Sequence, residues 1–248
     1  MSSHRKVAED FIVVRPHRDA LHAASDDLAA ALHFSPDTVW RTPANSNVRS
    51  FPLQAVLKRT LDLAIAIPLL VLCAPLVAVL ALLIALDSGG PVLFLQTRLG
   101  RHGEPFNIFK FRTMRVMENG DTVVQARKDD ERVTRCGKWL RATSLDELPQ
   151  LINVIAGEMS IVGPRPHAVA HDLHYAGVIP SYNLRQAVKP GITGWAQVNG
   201  HRGETPTVEA MQARVDLDVW YARHANLAFD LKILLRTPLA VLSARNAH

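Results

Sequence analysis

Two carboxylates stand side by side in Thr143-Ser144-Leu145-Asp146-Glu147-Leu148-Pro149-Gln150, flanked by leucines. Acids set against apolar neighbours are costly unless a cation, a hydrogen-bond donor or a metal compensates them. The cations are close in sequence: Arg135, Lys138 and Arg141 upstream and Arg165 downstream. A helix start is the plainer local reading. Ser144 would be the N-cap and Glu147 the third helical residue, a capping box. That reading covers Ser144 and Glu147 but neither Asp146 nor the arginines. A helix N-terminus here would also suit a phosphate.

Further cations fall in patterns that fix them. Phe106-Asn107-Ile108-Phe109-Lys110-Phe111-Arg112 alternates with period two, which sets Phe109 and Phe111 on one face of a strand and Lys110 and Arg112 on the other. A solvated edge would explain that basic face, but Arg115 close behind favours a phosphate-facing cluster. Pro164 and Pro166 hold Arg165 in extended backbone, so a rigid loop presents one planar, forked cation. His167 and His171 lack an acidic third ligand at a zinc spacing, which favours structural or substrate-contact roles. In Lys189-Pro190-Gly191-Ile192-Thr193-Gly194, the glycines would let backbone approach a ligand. A net charge of +5 favours an anionic partner, whereas 6% aromatics without basic–aromatic alternation argue against nucleic acid. Cys73 and Cys136 have no metal-ligand spacing and make no disulfide framework, as in a reducing compartment.

These residues need elements to hold them, and the expected fold class is α+β and helix-rich. Residues 1–50 read as a polar, largely disordered N-terminal tail without a signal peptide; residues 51–90 as a membrane-embedded broken helix; residues 91–248 as a cytoplasmic catalytic domain. From Leu63 to Leu86 no residue is charged over 24 positions, a membrane segment by length. Pro68 and Pro75 interrupt it. The arms on either side of Pro75 are each about 18 Å long, too short for a hydrocarbon core of about 30 Å. Lys58 and Arg59 precede the segment and Arg98 and Arg101 follow it, so the charge bias puts both ends in the cytoplasm. A helix that breaks at Pro75 and returns, and a kinked helix that crosses, both remain open. A small β-hairpin should follow over 92–112, then a charged loop over 118–132 with a turn at Glu118-Asn119-Gly120-Asp121, and a helix from Arg132 to Leu140. Leu148, Leu151, Ile152 and Ile155 supply the stripe of the next helix, and Gly157 ends it. From Val208 an amphipathic helix presents Met211, Val215, Val219 and Tyr221, and the more apolar residues 227–242 read as a segment that packs as core or lies in the membrane interface, with the interface favoured.

The ordered blocks resemble the bacterial sugar transferases, the monotopic polyprenyl-phosphate phosphoglycosyl transferases, from about Lys58 to about Leu235. The blocks are Lys58-Arg59 with the broken helix, Phe109 to Met114, Leu140 to Gln150, Val162-Gly163-Pro164-Arg165-Pro166, Lys189 to Gly200, and Phe229-Asp230-Leu231-Lys232. His167 to His171 and Arg202-Gly203-Glu204-Thr205 are similar to the branch that transfers hexose 1-phosphate, glucose or galactose, in exopolysaccharide synthesis. The polar N-terminus looks like the short form of the family. Ala74 stands before Pro75 where some relatives have Ser. The resemblance implies transfer of hexose 1-phosphate from a UDP-sugar to polyprenyl (undecaprenyl) phosphate, with release of UMP, at the cytoplasmic face of the bacterial inner membrane. It implies Asp146 as the nucleophile and metal ligand, Glu147 in metal or proton handling, and Mg2+ as cofactor. Lys110, Arg112, Arg141 and Arg165 are the expected phosphate-binding residues. A homo-oligomer and downstream glycosyltransferases are further partners compatible with that role. A phosphatase using the same acids, or a basic membrane scaffold, are the rival classes.

Overall fold

The computed structural model describes residues 52–115 and 130–242. The tail expected over 1–50 and residues 118–129 of the charged loop, with its turn, lie outside the described residues. The fold is helix-rich α+β, with two small two-stranded sheets.

Helix α1 runs from Pro52 to Ser88 with Pro68 and Pro75 inside it. The helical assignment does not end at Pro75, where a break was expected; the missing N–H of that proline removes one backbone bond from a continuous helix. It is the one helix among the described residues long and apolar enough to cross a membrane, and only 11% of its most apolar stretch is buried, so it is no soluble core helix. One face docks on the rest of the molecule through Ala66, Leu80 and Ile84. The other exposes Val71, Leu72, Val79, Leu82 and Leu86.

Strands β1 (Leu93–Leu99) and β2 (Pro105–Phe111) pair antiparallel, with Phe94 opposite Lys110 and Gln96 opposite Ile108. The hairpin expected from the alternation is present, yet β2 is covered on both faces. Phe106 and Ile108 enter the main core and Phe111 packs with Leu80, Ile84 and Leu140. The free edge of β2 is closed by Asn153, which accepts from Phe109 N at 3.0 Å and donates to Asn107 O at 2.7 Å.

Helix α2 spans Arg135–Thr143, a little later than the sequence pattern implies, because Thr134 caps it by accepting from Gly137 N. A single 3-10 turn, Leu145–Glu147, leads through Pro149 into α3, Gln150–Ala156, which Gly157 ends at φ 86°. Strand β3 (Ser160–Val162) pairs in parallel with β4 (Gly191–Thr193), a pairing the sequence reading did not contain. The glycines there bring backbone against backbone: a Cβ on Gly163 would lie 2.3 Å from Lys189 O, and one on Gly191 2.1 Å from Gly163 N. Their expected role of admitting a ligand is replaced by close strand packing.

Helices α4 (Val169–Val178), α5 (Trp195–Val198), α6 (Val208–His224) and α7 (Leu227–Leu242) complete the described chain. Met211, Val215, Val219 and Tyr221 are all buried, as their spacing predicts. Tyr221 donates to Asp230 at 2.7 Å, and Asp230 pairs with Lys58 at 2.9 Å, tying α6, α7 and α1 together.

Candidate active site

The 3-10 turn carries the two acids, and their surroundings differ sharply. Ser144 sits in left-handed backbone at φ 60° and closes α2, so the chain reverses direction at once and turns Asp146 and Glu147 inward, where both are buried. The expected capping box does not form. Ser144 is a helix C-cap whose hydroxyl accepts from Arg202 Nη2, and the Glu147 carboxylate is engaged elsewhere. Its Oε1 takes Lys110 Nζ at 2.9 Å and Arg165 Nη2 at 2.5 Å, and its Oε2 takes Arg165 Nη1 at 3.1 Å. This forked contact is what the Pro164-Arg165-Pro166 loop was expected to offer a phosphate. Burial raises the Glu147 carboxyl, but Arg165 and Lys110 together overcome it and hold the group well below the usual carboxylate range. Asp146 has no hydrogen bond to its carboxylate among the described residues. Burial pushes its pKa up to about 6; Lys110 and Arg165 pull it down and Glu147 pushes it up.

The predicted cations divide into two groups. Lys110, Arg165 and Arg141 converge on the acids, although among the described residues the Arg141 side chain hydrogen-bonds only Met114 Sδ, at 3.6 Å. Arg112 does not join them. Its Nη2 donates to Ser88 Oγ at 2.8 Å, at the end of α1, while its backbone N–H extends the hairpin ladder to Val92 O. Arg135 and Lys138 point to solvent from α2. Arg98, expected as a flanking membrane charge, packs inward against Gln96 and the Pro166 carbonyl.

Behind Arg165 stands a buried network that sequence reasoning missed. Arg185 donates to the Arg165 carbonyl and to Asp218 Oδ2 at 2.9 and 3.1 Å, and its Nη1 lies 3.0 Å from His167 Nδ1. Tyr182 donates to Asp172 at 2.7 Å and lies 2.6 Å from His167. Burial, and then Arg185, keep His167 neutral. Its place in this buried network is compatible with the structural role, one of the two foreseen for it. Arg185, Asp172 and Asp218 come from separate elements with no shared motif, so only the fold unites them. Arg202 offered a signal, since it lies in one of the blocks that resembles the hexose branch.

No group of three or more His, Cys, Asp or Glu side chains is arranged to hold a metal among the described residues. A cavity of about 180 Å3 opens beside Glu147, Ser144 and Arg202, with otherwise largely apolar walls.

The profile of the bacterial sugar transferases matches residues 53–244. The chain belongs to the bacterial sugar transferase family. It is 54% identical over 189 residues to the UDP-glucose:undecaprenyl-phosphate glucose-1-phosphate transferase of Escherichia coli K12, covering 75% of this chain and 41% of that protein. It is 53% identical over 191 residues to the Caulobacter vibrioides transferase of the same name, covering 77% of this chain and 72% of the relative. It is also 42% identical to the exopolysaccharide production protein PSS of Rhizobium leguminosarum bv. phaseoli, covering 77% of this chain and 98% of that protein. The chain thus spans about two fifths of the length of the Escherichia coli relative and nearly all of the Rhizobium one. Family membership and the exposed apolar face of α1 make this sugar transferase a membrane-associated protein.

Proposed function

We propose that this sugar transferase moves hexose 1-phosphate from a UDP-sugar to undecaprenyl phosphate and releases UMP, the first membrane step of exopolysaccharide synthesis. Glucose is favoured over galactose by the names of the relatives at 53–54% identity. One observation carries the reading: of two adjacent buried acids, Glu147 has both oxygens filled by cations while Asp146 has no hydrogen bond to its oxygens among the described residues.

In the first step an Asp146 oxygen attacks the phosphorus that bears the sugar. The P–O bond to UMP breaks and its electron pair leaves with UMP. In the second, a phosphate oxygen of the lipid attacks the same phosphorus, the P–O bond to Asp146 breaks, and the carboxylate is restored. Burial raises the energy of the Asp146 anion and so strengthens it as a nucleophile. Arg141, Lys110 and Arg165 supply positive charge beside the phosphates, as phosphoryl transfer requires. Glu147 holds Lys110 and Arg165 in place, a positioning role.

Mg2+ suits this donor set. It takes one or two carboxylates together with substrate phosphates, so a free Asp146 beside a diphosphate would hold it where no protein cage exists. Bound there, the ion would neutralise charge on the leaving phosphate.

The membrane geometry supports a helix that enters and leaves on one side. Near the start of α1, Lys58 donates to Val162 O, Arg59 to Val154 O and Ile155 O, and Asp62 accepts from Ser160 and Ile161 N. Near its end, Asp87 accepts from Cys136 N. Both ends are fastened to one body, the catalytic domain, which supports an active site at the cytoplasmic face of the inner membrane. Helix α7 presents Leu231, Leu235 and Leu239 outward, beside Trp195 and Trp220 with Lys232 and Arg236 over the Trp195 ring, as at a membrane interface.

The deciding assay offers radiolabelled UDP-glucose and UDP-galactose to purified protein with undecaprenyl phosphate. Label should appear in the lipid, UMP should be released, and chelation by EDTA should stop both until Mg2+ is restored. Free sugar phosphate without labelled lipid would identify a hydrolase instead.

A further inference from the structure

The cavity beside the catalytic turn has a composition unlike the rest of the site. Leu69 of α1, Ala240 and Val241 of α7, and Leu148, Leu151 and Ile161 line it. Its polar lining near the acids is Glu147, Ser144 and Arg202. Cavities of about 150 Å3 with apolar walls accept a benzene-sized hydrocarbon, so about 180 Å3 holds a branched five-carbon unit.

We propose that this cavity receives the hydrocarbon next to the phosphate of the acceptor lipid, entering from the bilayer between α1 and α7, with Arg202 meeting the phosphate. The inference rests on the proposed function and adds where the acceptor sits. Three observations carry it. First, the other polar side chains of the wall are used within the protein, Thr193 and Thr237 bonding each other and Gln197 Nε2 bonding Ile192 O, so little of it is left to hydrogen-bond a diphosphate, a ribose or a sugar. Second, the two helices that bound it are the ones that carry exposed apolar surface. Leu72 of α1 is 78% exposed, and Leu235 and Leu239 of α7 are 78% and 69% exposed. A chain leaving the cavity between them passes directly into lipid. Third, Arg202 has its hydrogen bond with an uncharged hydroxyl, Ser144 Oγ, and no carboxylate partner among the described residues. Burial lowers its pKa, Glu147 raises it and Arg165 lowers it again, so the cation is only partly compensated and an arriving anion completes its pairing. Glu147 acts on Arg202 through space, but its carboxylate oxygens bond Arg165 and Lys110 and not Arg202.

The cavity therefore selects the first isoprenoid unit, whose methyl branch it can surround, while the remaining units stay in lipid. Two measurements test this on the full-length protein in detergent or nanodiscs. Ala240→Leu, which fills the cavity, should raise KM for undecaprenyl phosphate about tenfold or more, the scale of excluding a methylene or two from a fitted pocket. KM for the UDP-sugar should stay within about twofold. Geranyl phosphate, a short acceptor with little lipid-embedded chain, should show the same penalty. Independently, Val241→Cys, in a protein with Cys73 and Cys136 replaced by serine, should react with a small maleimide, and undecaprenyl phosphate should protect it whereas UDP-glucose should not. Protection by the nucleotide sugar, or an unchanged acceptor KM in Ala240→Leu with no protection by lipid, would overturn the assignment. Absence of any lipid-linked product from the unaltered protein would instead defeat the proposed function itself, so the two failures are told apart.

Discussion

Asp146 and Glu147 are neighbours in the chain and opposites in environment. Glu147 lies between Lys110 and Arg165, and Asp146 is left buried with its charge only partly compensated. Asp146→Asn should therefore lower turnover by at least about 10³-fold, as loss of a nucleophile does, and should also stabilise the fold at neutral pH. The sign follows from the raised pKa. Between an unfolded value near 3.8 and a folded value of about 6 the folded state holds more protons, so this group's stability is present at low pH and lost as pH rises through about 6. A thermal melt at pH 7.5 should show the variant a few degrees above the parent, with the gap closing toward pH 4; a lower Tm at pH 7.5 would contradict the account. As the proposed nucleophile, Asp146 would have to be ionised to attack, so kcat/KM should fall about tenfold per unit below about pH 6. Glu147→Gln should shift that acid limb to lower pH, because Glu147 raises the Asp146 pKa and its loss frees Lys110 and Arg165 to act there. It should also cost about 3 kcal/mol of stability by leaving two cations facing each other, read as a lower denaturant midpoint. Arg165→Lys keeps the charge but loses the fork to both Glu147 oxygens, and its kcat/KM should drop at least about tenfold. The acid pair and the Arg165 loop were legible from the sequence because unusual residues sit in rigid contexts. The division of labour between the acids was not, since it depends on Lys110 arriving from a strand 37 residues away.

At the scale of elements, legibility tracked how locally each is specified. The hairpin announces itself by alternation, and α6 by Met211, Val215 and Val219 at helical spacing. The capping box failed because a Ser followed three residues later by Glu satisfies the same pattern whether it opens one helix or closes another. The left-handed backbone at Ser144 decided which, and Arg202 took the hydroxyl. The β3–β4 pair escaped notice because three residues per strand carry no periodicity and the partner lies 31 positions on. Its glycines read as a ligand loop when they are where two backbones touch. The charges that begin α1 were read only as membrane flanks, yet they are fasteners. Asp62, 3% exposed, accepts from Ser160 Oγ at 2.9 Å and Ile161 N at 3.0 Å, linking α1 to β3 and so to the Arg165 loop. Asp62→Ala leaves both donors buried and unpaired, a cost of about 1–3 kcal/mol each. The purified variant should melt several degrees lower and lose kcat/KM through a loosened Arg165, although Asp62 touches no substrate. Unchanged melting would mean that α1 is held by its apolar face alone.

At the scale of the whole molecule, the decisive relation is between the long helix and the body it rests on. A helix of 37 residues is about 55 Å long if straight, well over the roughly 30 Å of hydrocarbon. Were it to cross, its two ends would lie in different aqueous compartments. Yet Lys58, Arg59 and Asp62 at one end hold α3, β3 and α7, while Asp87 and Ser88 at the other hold α2 and the residue just past β2. A single domain cannot bind both ends through polar contacts across a bilayer, because those contacts would sit in hydrocarbon together with the buried acids. The exposed face from Val71 to Leu86 must nonetheless meet lipid. The proposed shallow entry and return would reconcile the two demands, with Pro68 and Pro75 as the places where the backbone bends most cheaply. With Cys73 and Cys136 replaced, single cysteines introduced as Gln54→Cys and Pro91→Cys, both at exposed positions flanking the segment, should resist an impermeant maleimide in intact cells and react together after lysis. Cysteine at Leu72, in the middle of the exposed face, should resist in both conditions and react only in detergent. Labelling at position 54 in intact cells, with position 91 protected, would establish a crossing helix. The polar fastening at the start of α1 would then have to open in the membrane.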